Sequence, residues 1–382
     1  LKVALIRQSY RPNGGQERFM SRLVPQLVLQ GIQPVVIGRD WSQGGFDGLA
    51  DIISLNPKFM NRTQRDRGFC QAVQKHLAET SYTLVQGHER IPGVQIYRAG
   101  DGVHANWVKT LCGRGRLLRP HWHPYHRYTI TAEDAMYRHP AFRRVICNSR
   151  MIERQILDRN PHLEGRTMLI RNGLDPERFN PDVRIGREEM RAQHGVREGE
   201  PIALFVGSGF WRKGLDLSIA ALAGTGAHLW VVGSDSELDR HQARARDLLG
   251  ADRVRFFGVE KDPRRHYGAA DFFVMPARYD PAPNGVLEAL ACGLPVVTSN
   301  MTGSAEFMEG ADAPGIVVET GDDVALASAM RNIIDAVTGE DGYLWHERAY
   351  ATAAPWTIER TSRDMATLYA RLLTEDLAFE LT

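Results

Sequence analysis

Only four cysteines occur in 382 residues, at positions 70, 112, 147 and 292, and none stands in CxxC spacing. That excludes a disulfide framework or a cysteine-ligated metal centre as the organising feature, and the thiols read as unrelated and reduced. There is no run of about 18 apolar residues, so no segment reads as a membrane-spanning helix. The opening LKVALIRQSY has too short an apolar stretch and no small-residue cleavage site for a leader, and reads as a first buried strand. Two nucleotide signatures are missing as well. No GxGxxG occurs, and no acid sits suitably after the second strand, Asp40 being the nearest, which disfavours a dinucleotide site. No GxxxxGK[ST] loop occurs either. Net charge is almost absent, with 47 Lys and Arg against 46 Asp and Glu. The balance hides an asymmetry: residues 1–171 hold 26 basic and 13 acidic side chains, and residues 172–382 hold 21 and 33. A basic half suits an anionic partner, with nucleic acid, anionic lipid and a phosphorylated glycan all admissible.

What is present points to an α/β protein. Apolar content of 43% and charged content of 24% are those of a soluble globular chain, and the length suits two domains. Continuous apolar runs at 3–6, 34–37, 83–86, 94–97, 145–148 and 168–170 alternate with helical stretches. The pattern recurs at 202–206, 229–232, 254–257, 272–275, 295–298 and 316–318. Such runs, separated by helices, predict parallel sheets covered on both faces. The two halves begin alike, VALIRQSYRPNGGQERFM and IALFVGSGFWRKGLDLSIA, each as strand, glycine-containing loop and helix. RNGLDPERFNPD at 171–182 reads as a linker. The expected domains are therefore 1–171 and 172–355, each doubly wound, with an amphipathic helix in 356–382 returning toward the first. A ligand cleft is expected where strand C-terminal ends of the two domains face each other.

The stretch 276–299, PARYDPAPNGVLEALACGLPVVTS, carries the strongest chemical signal. A helix starting near Pro283 would place Glu288 one turn in, on an exposed face, with Asn284 at the cap. The amides of Asn284, Gly285 and Val286 would make an anion cradle. Asp280 and Glu288 beside such a cradle suit a ligand with hydroxyls and phosphates, such as a nucleotide sugar, although any two carboxylates can be unconnected surface acids. Arg212-Lys213-Gly214 offers a planar fork and a point charge for a diphosphate, or is a solvated basic loop. Gly14-Gly15 allows close approach of a phosphate, or is a tight turn. Asp101, after a strand, can hold a sugar hydroxyl or take the acceptor proton, or is an Asp-Gly turn residue. His88 and Glu89 are placed similarly. Between Gly102 and Ala132 no acid occurs, while Lys109, Arg114, Arg116, Arg119 and Arg127 are interleaved with Trp107, Trp122, Tyr125 and Tyr128. That mixture fits an anionic membrane surface or nucleic acid, or a solvated loop. The histidines among them lack the partners that zinc requires.

In order along the chain, GGQER at 14–18, RNGLD at 171–175, VGSGFWRKG at 206–214, FFGVEKD, YGAADFFVMPARYD and VLEALACGLPVVTS resemble the family 4 retaining glycosyltransferases of the GT-B fold. The likeness extends over nearly the whole chain. Within the family, the VGSxFxRKGxD loop and IPGV followed by Gly100-Asp101 are similar to lipopolysaccharide core α-1,3-glucosyltransferases. The resemblance implies two Rossmann-like domains and a nucleotide-sugar donor, UDP-glucose, with no cofactor or metal. It implies a lipid-linked heptose acceptor, retention of configuration, and peripheral contact with the cytoplasmic face of the inner membrane, without nucleic acid. On these grounds Asp101, Arg212, Lys213 and Asp280 are the expected catalytic residues. Gly14, Gly15, Asn284, Gly285, Val286 and Glu288 join Arg212, Lys213 and Asp280 around the donor, and Lys109, Arg114, Arg116, Arg119 and Arg127 serve membrane or acceptor. One departure is visible: the family's Glu-x7-Glu is here Asp280-x7-Glu288, and the shorter acid reaches less far. A non-hydrolysing nucleotide-sugar epimerase and a catalytically degenerate sugar-nucleotide-binding protein are the alternatives.

Overall fold

Continuous apolar runs must be covered on both faces, and helices returning between parallel strands supply that cover. The computed structural model describes residues 1–8, 15–41, 46, 48–117 and 122–380. The chain divides into two units, Leu1–Gly173 with Ile358–Thr382, and Leu174–Thr357. The first unit contains β1 (Lys2–Ile6), α1 (Gly15–Leu29), β2 (Gln33–Gly38), β3 (Asp51–Ser54), α2 (Arg62–Glu79), β4 (Leu84–Gly87) and β5 (Ile96–Arg98). It continues with α3 (His104–Gly113), α4 (Pro124–Tyr137), β6 (Arg144–Cys147), α5 (Arg150–Arg159) and β7 (Thr167–Leu169). The sheet order is β3-β2-β1-β4-β5-β6-β7, with every pairing parallel. The C-terminal helix Ile358–Glu380 belongs to this unit. Its buried Ile358, Met365, Leu368, Tyr369 and Leu372 join Val3, Leu23 and Val36 in one core, following the spacing of a single helical face. Full burial of such a side chain stabilises by about 1.5–3 kcal/mol. Tyr369 Oη also donates to Gln86 Oε1 at 2.8 Å, and Arg144 pairs with Glu375 at 2.7 Å.

The second unit contains α6 (Arg187–Gln193), β8 (Ile202–Val206), α7 (Phe210–Lys213), α8 (Leu215–Leu222), β9 (His228–Val232), α9 (Leu238–Leu249) and β10 (Val254–Gly258). There follow α10 (Arg264–Ala269), β11 (Phe272–Met275), α11 (Asn284–Ala291), β12 (Val296–Ser299), β13 (Gly315–Val318), α12 (Asp323–Thr338) and α13 (Gly342–Ala353). Its sheet, β10-β9-β8-β11-β12-β13, is again parallel throughout. Leu174 N–H donates to Trp356 O at 3.0 Å and Leu174 bridges Thr357, so both ends of this unit are pinned side by side. Just before, buried Arg98 stacks on Phe19 at 3.8 Å and donates to Asn172 Oδ1, fixing the end of the first unit's run.

In each sheet the strand order reverses once, between β1 and β4 and between β8 and β11. Ligands of α/β sheets bind outside the strand C-terminal ends at such a reversal. No described helix is long and apolar enough to cross a membrane. The described residues hold no group of three or more His, Cys, Asp or Glu that could take a metal ion.

Candidate active site

At the reversal in the second unit, β8 runs into Gly207, Ser208 and Gly209 before the single turn of α7. Gly207 has φ +147°, and a methyl there would lie 2.8 Å from Lys213 Cδ and Cε. The bare backbone thus leaves the space through which the lysine stem passes. Gly214 has φ +81°, and a methyl there would lie 2.2 Å from Pro276 O, so the turn is seated directly on the end of β11. The consequence is convergence: Arg212 Nη1 and Lys213 Nζ both donate to Asp280 Oδ2, at 2.9 and 2.8 Å. Arg212 Nη1 also donates to Tyr279 O at 3.0 Å. Asp280 is held by its backbone, donating to Met301 O at 3.0 Å and accepting from Gly303 N–H at 2.8 Å. Burial pushes the Asp280 carboxyl up, but Arg212 and Lys213 outweigh it and hold the group below the usual range. Burial pulls Lys213 below its ordinary value, with Asp280 opposing that shift.

Helix α11 begins at Asn284, with Pro283 rather than Asn284 in the capping position. Proline sets φ near the helical value and cannot donate, so it suits this entry. Val286 N–H already donates to Pro283 O at 3.2 Å, which removes it from the anion cradle expected of 284–286. The sequence places Glu288 on an exposed face; in the structure it is only 5% exposed. The whole of α11 from Val286 to Ala291 is buried, and Tyr267 Oη from α10 donates to Glu288 Oε2 at 3.1 Å. A carboxylate so enclosed has a fixed orientation.

In the first unit a cavity of about 330 Å³ opens outside β1 and β4, lined also by α2 and α4. Asp101 lies on it, accepting from Arg7 Nη1 at 3.1 Å. Glu89 is beside it, 3.3 Å from the same nitrogen and accepting from Gln8 N–H at 3.0 Å. Burial pushes the Glu89 carboxyl up, with Arg7 opposing. His88 is buried, and desolvation with Arg98 and Arg7 drives it well below its ordinary value, so it stays neutral. Gly15 opens α1; Gly14 and Arg119 lie outside the described residues. Lys109, Arg114, Arg116 and Arg127 are all exposed, Lys109 on α3, Arg114 and Arg116 in the turn that follows it, and Arg127 on α4.

Residues 13–178 match the family described as Glycosyltransferase Family 4, and residues 186–338 that described as Glycosyl transferases group 1. The chain belongs to the glycosyltransferases. This glycosyltransferase is 28% identical over 342 residues to the lipopolysaccharide glucosyltransferase WaaG of Escherichia coli (strain K12), covering 87% of this chain and 89% of that one. It is 27% identical over 329 residues to the lipopolysaccharide core biosynthesis glycosyltransferase LpsE of Rhizobium meliloti (strain 1021), covering 84% and 86%. The crystal structure of WaaG, a glycosyltransferase involved in lipopolysaccharide biosynthesis, superposes with TM-score 0.82 at 25% identity, over 96% of this chain and 99% of that one. The fold is GT-B, with two Rossmann-like parallel sheets.

Of the residues selected from the glycosyltransferase's sequence, the structure brings Arg212, Lys213 and Asp280 into direct contact and sets Glu288 one helix turn into α11. Asp101 lies in the other unit. Sequence reasoning missed two supports. Arg278, 6% exposed, donates to Trp211 O at 2.6 Å and to both oxygens of Asp216 at 2.7 and 2.8 Å, bracing α7 and α8 against the end of β11. Tyr267, on Glu288, is the second. Arg278 stands in PARYD, inside the motif already singled out, but its partners lie about 60 residues upstream in sequence.

Proposed function

We propose that this glycosyltransferase is a retaining, metal-independent hexosyltransferase that moves glucose from UDP-glucose onto a heptose of the lipopolysaccharide inner core. The relatives that act in lipopolysaccharide synthesis support the sugar and acceptor classes. The observation that carries the chemistry is the convergence of Arg212 and Lys213 at the strand reversal of the second unit. In this reading the donor diphosphate lies against those two cations and the first amides of α11. Glu288 takes ribose hydroxyls, and Asp280 takes hydroxyls of the transferred sugar.

The bond between C1 and the diphosphate oxygen breaks, and negative charge grows on the departing phosphate. Cations already fixed in place stabilise that charge more than they stabilise the bound donor. In this reading they supply the charge neutralisation that a divalent ion would otherwise provide. The acceptor hydroxyl bonds to C1 on the face the phosphate leaves, and its proton passes to the departing oxygen, so configuration is retained without a covalent enzyme intermediate. The reaction takes place at the cytoplasmic face of the inner membrane.

The test is transfer from UDP-glucose to a heptose-terminated core, with and without EDTA, and the product anomer assigned by NMR. An α-linked product formed equally in EDTA is expected. Arg212→Ala and Lys213→Ala should each lower kcat by about 10²–10³. Turnover near normal in both variants, or activity abolished by EDTA, overturns the reading.

A further inference from the structure

The cavity of the first unit contains more charge than one catalytic carboxylate requires. Most of that charge is internally matched. Arg7 bridges Glu89 and Asp101, Asp66 accepts from Gln8 Nε2 at 3.1 Å and from Arg65 Nε at 2.8 Å, and Arg90 Nε donates to buried Glu133 at 2.8 Å. Arg62 differs. Among the described residues no carboxylate lies within ion-pair distance of it, and its guanidinium lies over the Tyr125 ring at 3.8 Å. Stacking occupies the guanidinium face and leaves its in-plane N–H fork for a partner. Arg62 and Arg65 also both fall at the start of α2, whose first turn has no acidic residue. Positive side chains at the positive end of a helix dipole are unfavourable by themselves, and an anion between them would reverse the sign of that interaction. The cavity volume of about 330 Å³ is near the lower end for small-molecule sites and suits a single substituted sugar ring.

We infer that this cavity binds a sugar carrying an oxyanion, phosphate or carboxylate, with Arg62 and Arg65 on the anion and Asp101 and Glu89 on sugar hydroxyls. The inference rests on the proposed function only in calling that sugar the acceptor. The full chain is titrated calorimetrically with a hexose 6-phosphate, a hexuronate, the parent hexose and inorganic phosphate, all with UDP saturating so that the second unit does not contribute. At least one charged sugar should bind about tenfold or more tightly than the hexose, and more tightly than inorganic phosphate. The advantage should shrink with added salt. Preference for the phosphate ester identifies a phosphorylated glycan, and preference for the hexuronate a carboxylated one. Arg62→Ala with Arg65→Ala should abolish the advantage, whereas Arg331→Ala, exposed on α12, should not. If the double variant misfolds by circular dichroism, Arg62→Ala alone decides, since Arg62 is exposed. Charged sugars binding no better than hexose, inorganic phosphate binding as well as the ester, or variants that keep the preference overturn the inference. UDP-sugar binding, followed separately by thermal shift, judges the proposed function and not this cavity.

Discussion

At the residue scale, Asp280 has opposed demands. In the proposed reading its Oδ2 neutralises part of the positive charge that a diphosphate would meet, while its place in the loop after β11 would put it against the transferred sugar. Because its carboxyl is held below the ordinary range, its stabilising contribution is complete above about pH 4, the unfolded-state value. That contribution is lost only as pH falls through the lower folded value. Between pH 5 and 8 it should therefore not change. Asp280→Asn leaves Lys213, 12% exposed, without its carboxylate, and breaking a buried pair in this way costs about 3 kcal/mol. Urea melts should show the same loss at pH 5 and pH 8; a loss confined to pH 8 would mean that Asp280 titrates within the range. The same variant should bind UDP more tightly, since both cations are released to the phosphates, yet transfer glucose more slowly. Weaker UDP binding would show that Asp280 holds the cations in position rather than competing for them.

At the scale of elements, the turn made by α7 is the part whose geometry sets the site. Gly214→Ala would force a non-glycine residue into φ +81° and drive its methyl against Pro276 O, a backbone atom that cannot move aside. The left-handed conformation alone costs roughly 1–2 kcal/mol, and the collision adds to it. A fall in Tm with a loss of UDP binding is expected, and an unchanged Tm would show that α7 is not seated on β11 as described. The strands were legible because burial on both faces leaves an unbroken apolar run, as in Ile202–Val206 and Phe272–Met275. The strand β3 was not, because it lies at the sheet edge with Asp51, Ile52 and Ser54 exposed, so nothing forces its residues to be apolar. Helices α3 and α4 escaped for a related reason: they meet partly through ring contacts rather than an aliphatic stripe. His104 Nε2 lies 3.0 Å from His126 Nδ1, and burial, Arg90, His126 and Arg62 push His104 down to about 3. The cations of the site stood out as adjacent Arg212 and Lys213, and the carboxylates by their spacing. Their mutual pairing and the bracing by Arg278 did not, since both depend on the turn bringing distant segments together.

At the scale of the whole molecule, the near-zero net charge is misleading, because the basic excess is concentrated in the first half of the chain. In the structure part of that excess is presented by α3, α4 and the residues after α3, where Lys109, Arg114, Arg116 and Arg127 are exposed and Trp122 is 82% exposed. An indole among cations is the composition of a surface that settles at a lipid headgroup layer, with the ring at the interface and the charges on anionic lipid. Each such cation contributes about 1 kcal/mol near an anionic surface. Replacing Arg114, Arg116 and Arg127 together by Gln should therefore weaken binding to vesicles rich in phosphatidylglycerol by about 3 kcal/mol, roughly 100-fold, at low salt. The difference should narrow at 0.5 M salt, where the screening length falls to about 4 Å, and vanish on purely zwitterionic vesicles. Vesicle binding unaffected by the triple replacement would show that these cations form no lipid-binding surface.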